Sequence, residues 1–139
     1  MTDATGTETL HVDQFLPHPP AKVWRALTEP ELLARWWAAG DIAPAVGHRF
    51  ELDMGPWGKQ PCEVLAVEPE RLIAYTFGTD GWTLTWRLEP EGTGTRLFLE
   101  HAGFDLDQPM HRNVFDTMGP GWRDEVLPEL ARELDRVPA

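Results

Sequence analysis

The sequence has little cysteine, little positive charge and no long apolar run, and each shortage excludes a class of protein. Cys62 is the only cysteine in 139 residues, so no internal disulfide can form. Twelve basic residues against 23 acidic ones give a net charge of −11, which argues against nucleic acid or an anionic membrane as a partner. No apolar run approaches the roughly 18 residues that a membrane helix needs. We therefore expect a cytoplasmic protein without membrane insertion.

What the chain does contain is enough apolar surface for one folded domain. Hydrophobic residues make up 42% of the sequence, and seven of them are tryptophans. A chain of this length can bury a core without disulfides or metals. Residues 1–7 are small and polar, so we expect a disordered N-terminus followed by a single domain over residues 8–139.

The C-terminal stretch predicts one long amphipathic helix from Phe115 to Val137. Its apolar side chains recur every three or four positions, which places them along one face. Gly119, Pro120 and Gly121 interrupt this pattern, so the regular helix is expected to begin near Pro120. The residues of the stripe are Phe115, Met118, Trp122, Val126, Leu130, Leu134 and Val137.

The rest of the chain predicts an antiparallel sheet for this helix to pack on. A first strand at 8–16, expected at a sheet edge, precedes two short helices, 21–27 and about 30–37. Thr28 and Glu31 between these helices have the spacing of a capping box. From His48 to His101, five segments alternate apolar and polar residues and are joined by short turns, which is typical of a meander. A loop is expected at 102–112.

Several short motifs then show a family resemblance. The segment from Val23 to Trp37 resembles the "VW-x-ALT-x-PE-x-L-x-x-WW" segment of the START-like (SRPBCC) superfamily, in its branch of heat-shock-chaperone ATPase activator homologues, the Aha-type family. The strand entry at Gly47 resembles the family's Gly-Gly-x-Phe, with His48 in place of the second glycine. Residues 94–104 resemble its "GTRL…H-x-GF" strand, and Gly121-Trp122 its helix-opening "GW".

This resemblance implies an α+β helix-grip fold: a curved antiparallel sheet wrapped around a long C-terminal helix, with two short helices after the first strand. Members of the superfamily resemble small-molecule binders, aromatase/cyclases, antibiotic-sequestering proteins and co-chaperone domains. They share a cavity rather than a catalytic residue set, so the fold alone does not define a function.

The abundance of large rings favours a ligand cavity between sheet and helix. Aromatic side chains lining such a space suit a small hydrophobic or aromatic ligand, lipid or polyketide-like, although an ordinary aromatic core has the same composition. The expected lining residues are Trp37, Phe50, Tyr75, Phe77, Trp82, Trp86, Leu99, His101, Phe115, Met118 and Trp122.

Catalytic candidates are few. His101 could orient a ligand carbonyl or act as a general base, or could be a buried neutral imidazole; Tyr75 could be a second polar anchor, or a core tyrosine that reaches the surface. A cyclase or dehydratase acting on such a ligand is therefore one alternative function. His101, Asp105, Asp107 and His111 match no metal-site spacing, so we predict no metal and no cofactor.

Two kinds of protein partner stay open. A chaperone-associated interaction protein is the second alternative function, and the less favoured one, because it would need an exposed patch rather than a cavity. An exposed sheet edge could also pair with a second copy and make a homodimer.

Overall fold

The computed structural model describes residues 7–136, in which seven antiparallel strands form one sheet of order β1-β7-β6-β5-β4-β3-β2. The first strand lies at an edge beside β7, and β3 to β7 follow one another as the predicted meander. The two-residue strand β2, paired with β3, was not predicted. Most of the predicted N-terminal tail, residues 1–6, lies outside the described residues. The strands are β1 Thr7–Leu16, β2 Ala39–Gly40, β3 Arg49–Asp53, β4 Lys59–Glu68, β5 Leu72–Phe77, β6 Trp82–Glu91 and β7 Gly94–Asp105.

Two short helices, α1 (Pro20–Thr28) and α2 (Pro30–Trp36), connect β1 to β2. Each begins with proline, whose fixed φ and missing N–H suit a first helical turn. The predicted capping box is wrong, because Thr28 still belongs to α1 and its hydroxyl donates to the Trp24 carbonyl at 2.8 Å. The Trp36 indole N–H donates to the Ala26 carbonyl at 2.9 Å and so fixes α2 against α1.

The C-terminal helix is longer than predicted and changes its winding in the middle. It consists of α3 (Pro109–Gly121), a π-helical segment (Trp122–Val126) and α4 (Leu127–Arg136). The expected start near Pro120 and the expected loop over 102–112 are therefore wrong. In the π segment the Leu127 N–H bonds to the Trp122 carbonyl, five residues back. Pro128 follows immediately and has no N–H for a regular α-helical bond, which favours the wider turn.

The two halves of this helix are packed unequally. On α4 the sheet and short helices bury Leu127, Leu130, Glu133 and Leu134, whereas α3 buries only His111. The buried Glu133 carboxylate pairs with Arg35 at 3.4 Å and with Arg136 at 3.0 Å. The core thus lies between the inner face of the sheet and α4, while α3 covers the sheet more loosely.

A bulge in β7 at Gly103 changes which residues face the helix. Thr9 pairs with Ala102 and Glu8 with Phe104, so Gly103 is the extra residue. Its φ of +99° favours glycine, and a Cβ there would lie 2.3 Å from the Gly81 carbonyl oxygen. In a regular strand His101 and Phe104, three positions apart, would face opposite sides of the sheet. The extra residue places both on the inner face, where both are fully buried.

Candidate functional site

A group of aromatic side chains between the sheet and the C-terminal helix forms the candidate site, here called the ring cluster. Its neighbouring ring centroids lie between 4.6 Å, for His101 and Phe104, and 6.1 Å, for His101 and Trp122. Several pairs meet edge to face, which is a favourable arrangement of aromatic quadrupoles. The cluster consists of Trp37, Phe77, Trp82, Trp86, His101, Phe104 and Trp122.

Trp37 joins the two walls of the ring cluster. It ends α2 with φ −137° and ψ −77°, so its side chain leaves the helix direction. Its ring centroid lies 5.1 Å from that of Trp122 on the helix side, and 6.0 Å from those of Phe77 and Trp86 on the sheet. Trp37 is only half-buried. It is therefore the ring of the cluster that lies nearest to solvent.

His101 is completely buried among these rings. The Trp122 indole N–H donates to His101 Nδ1 at 3.2 Å. An indole nitrogen can only donate, so Nδ1 must be the acceptor and the imidazole proton lies on Nε2. Burial lowers the pKa of His101 to about 3, because the charged ring would lose its hydration. A neutral imidazole with its lone pair engaged by an indole is a poor general base.

Tyr75 lies on β5 with 1% of its surface exposed, so it does not reach the surface. The Trp86 indole N–H donates to its hydroxyl oxygen at 2.9 Å. Burial raises the pKa of Tyr75 well above the ordinary value. The hydroxyl is therefore neutral and protonated. Chemically, Tyr75 and His101 can both donate a hydrogen bond and polarise a carbonyl.

His111 on α3 is a buried member of the site that we did not predict. Its Nδ1 accepts from the Asp105 backbone N–H at 2.9 Å and from the Trp82 indole N–H at 3.4 Å. It thereby fixes the start of α3 against the sheet. The sequence gives one indication that His111 is buried, because it lies three residues before Val114 and so on the same face of a helix. Across residues 7–136, no group of three or more metal-ligand side chains comes together.

All eleven residues predicted to line a ligand site are buried or half-buried, and their role as a lining stays a prediction. Three of them, Trp37, Phe115 and Met118, are half-buried, and the other eight are buried. Phe104 and His111 complete the set. The buried eight are Phe50, Tyr75, Phe77, Trp82, Trp86, Leu99, His101 and Trp122.

Charge is scarce in this interior. Among residues 7–136, Lys22 on α1 is the buried residue that carries a positive charge. Its ammonium group bonds to His18 at 3.2 Å. The Cys62 thiol lies on β4 and is buried, and this burial raises its pKa to about 12. An open surface groove of about 510 Å³ lies elsewhere, and charged residues from Glu68 to Glu89 dominate its lining. None of the predicted residues lines it.

A curved sheet that holds a C-terminal helix across an apolar interior defines the helix-grip class. Within that class, residues 17–135 match the family model described as "Activator of Hsp90 ATPase homolog 1-like protein". The chain belongs to this family, which confirms the resemblance predicted from the sequence.

Solved structures agree with this assignment. A Mesorhizobium loti protein is 37% identical, with a TM-score of 0.84 over 95% of this chain and 100% of its own. A Bacillus halodurans protein is 30% identical, with a TM-score of 0.81 over 91% of this chain and 96% of its own. DynU16, from the dynemicin biosynthetic locus, shares the fold at 24% identity, with a TM-score of 0.76 over 91% of this chain and 47% of its own. No curated protein matches the chain. Among the described residues, no helix has the length and apolar character to cross a membrane.

Proposed function

We propose that this protein binds a small hydrophobic or aromatic molecule between the sheet and the C-terminal helix. The observation that carries the proposal is the ring cluster, which is buried on the side of the sheet. Its own Trp37 is half-buried, and so are Phe115 and Met118, which pack against the same core. Aromatic walls with a few convergent polar groups are typical of small-molecule sites. A flat apolar ligand would stack among these rings.

The unequal packing of the helix supports a route of entry. The half that covers Phe104 and carries Phe115 is α3, which buries only His111. Gly119 and Gly121 lie in the last turn of α3, and the π-helical segment then separates α3 from the well-packed α4. Segments with few buried contacts open at the lowest free energy. Displacement of α3 and Trp37 would therefore expose the ring cluster while α4 holds the fold.

Binding is tested by tryptophan fluorescence and melting temperature against fatty acids, flavonoids and aromatic polyketides. A ligand at about 100 times its dissociation constant should stabilise the fold by roughly 2.7 kcal/mol. Met118→Trp places bulk at the rim and should weaken binding. Met110→Trp is the matched control, because Met110 lies on the same helix with 47% of its surface exposed. A panel without any saturable response would contradict the proposal, as would equal weakening by both variants.

The family description supplies a second candidate, a chaperone-associated interaction protein. Such a role would use exposed apolar side chains, and Trp57 and Val46 are the most exposed, at 79% and 68%. Val46 lies on the loop before β3, and Trp57 ends a single 3-10 turn (Gly55–Trp57) after it. Co-sedimentation of the purified chaperone with the wild type, but not with a Trp57→Ser, Val46→Ser double variant, would favour this role. Equal co-sedimentation, or none, would count against it.

A further inference from the structure

The imidazole of His101 has a hydrogen-bond donor that none of the described residues engages. With Nδ1 accepting from the Trp122 indole, the ring carries its proton on Nε2. Nε2 is buried and has no hydrogen-bond partner among residues 7–136. Buried polar groups are nearly always paired, so this exception requires an explanation. The rings of Phe77, Trp82 and Phe104 surround the imidazole, with their centroids 5.8, 5.7 and 4.6 Å from the imidazole centroid.

A second unused donor lies on the same face of the sheet. Within residues 7–136, the one hydrogen bond of the Tyr75 hydroxyl is the one that it accepts from Trp86, so its own proton has no acceptor. Tyr75 pairs with Leu84 across β5 and β6, and Leu84 pairs with His101 across β6 and β7. The two donors therefore share one cross-strand row, with Cα atoms about 10 Å apart at two strand spacings.

The side-chain acceptors of the site are already engaged. Trp86 donates to the Tyr75 oxygen, Trp122 to His101 Nδ1, and Trp82 to His111 Nδ1. The interior thus offers donors to a ligand while its own acceptors are taken by indoles. A ligand whose polar atoms accept hydrogen bonds matches this arrangement.

The charged residues of the interior further restrict which kinds of ligand can bind there. Among residues 7–136 the buried cation is Lys22 on α1, whose ammonium group bonds to His18 and not to Tyr75 or His101. A carboxylate inside the ring cluster would have no counter-charge, and burying an unpaired ion is costly. The polar atoms of the ligand should therefore be neutral acceptors.

We propose that His101 Nε2–H and Tyr75 O–H recognise carbonyl oxygens on a neutral aromatic ketone or quinone. The inference rests on the proposed ligand site and deepens it: the rings provide the apolar contact, and the two donors select a carbonyl-bearing compound over a hydrocarbon of the same shape. His101 and Tyr75 are recognition residues here, without a proton-transfer step.

The test compares 9-fluorenone with fluorene, two tricycles that differ only in one carbonyl group. Equilibrium dialysis against the wild type should show fluorenone binding about fivefold tighter or more, the ratio expected from one net hydrogen bond. His101→Phe removes the donor and keeps a ring, and the preference should fall to about one. Tyr75→Phe measures the second donor in the same way. Circular dichroism establishes that both variants are folded.

The outcomes separate this inference from the proposed function. Equal binding of both tricycles by the wild type would overturn carbonyl recognition and leave the apolar ligand site intact. Binding of neither compound would overturn both. Long-range ¹H–¹⁵N NMR of the unliganded wild type adds a check that needs no variant. It should show His101 as the Nε2–H tautomer at pH 7, and an Nδ1–H tautomer would refute the inference.

Discussion

Acid should destabilise this protein through His101 more than through any ordinary histidine. Burial holds the pKa of His101 at about 3 in the folded chain, against about 6.5 when unfolded. Between these values the unfolded chain binds a proton that the folded chain does not. Stability is therefore fully present above pH 6.5 and is lost as the pH falls towards 3.

The size of this loss follows from the two pKa values. Integrating the proton difference between pH 6 and pH 4 gives a decrease in unfolding free energy of about 2–3 kcal/mol from this one residue. That is a large fraction of the roughly 5–15 kcal/mol that stabilises a typical domain. Carboxylates also change the unfolding free energy in this range of pH. The contribution of His101 must therefore be measured as the difference between the wild type and a variant without this histidine.

Urea unfolding of the wild type and His101→Gln at pH 6, 5 and 4 measures that difference. Glutamine keeps a side-chain acceptor for the Trp122 indole but does not titrate. The variant should be less stable at pH 6, and its further loss down to pH 4 should be smaller than that of the wild type by about 2–3 kcal/mol. Equal m-values confirm that the same transition is compared. Parallel loss in both proteins would refute the reasoning that burial keeps His101 neutral.

Three further outcomes follow from the same structure. Tyr75→Phe should lower the unfolding free energy by about 1–3 kcal/mol in chemical denaturation, because it leaves the buried Trp86 N–H without an acceptor; an unchanged midpoint would contradict this. Gly103→Ala should cost more than the roughly 1–2 kcal/mol of a left-handed backbone, because its Cβ also meets backbone. Gly92→Ala is the control, because a Cβ at Gly92 would meet no atom within 4 Å, and it should cost only the backbone amount. Equal losses of stability in the two variants would argue against a clash at Gly103. The Cys62 thiol, whose pKa is about 12, should react with a disulfide reagent only as fast as the protein unfolds; rapid labelling of the folded protein would contradict its burial.

The inner face of the sheet could be predicted where its strands keep strict alternation, as in β5 and the first part of β6. The run from Trp82 to Leu88 places every second side chain towards the helix, and the same parity puts Leu99 and His101 there. Beyond His101 the prediction failed. The bulge at Gly103 shifts the parity and brings Phe104 inwards, and a glycine in a strand does not by itself reveal a bulge.

The helix shows the same limit for a different reason. Regular α-helical spacing predicted Val126 in the buried stripe after Trp122, but Leu127 is buried and Val126 is half-buried. The π turn inserts one residue and rotates the second half of the helix relative to the first. The hydrogen bonds of the indoles to Tyr75 and His101 were also beyond prediction, because they depend on ring orientations that no sequence period encodes.

The pairing of β1 with β7 has a consequence for how the chain folds during synthesis. Of the seven strands described, β1 leaves the ribosome before the others, and its partner Gly94–Asp105 leaves after them. At about 5–20 residues per second, roughly 4–18 s separate the two strands. Throughout that time Leu10, Val12 and Leu16 have no sheet to join. Closure of the domain therefore waits for its C-terminal third, and a nascent chain shorter than this exposes an unpaired apolar strand to chaperones.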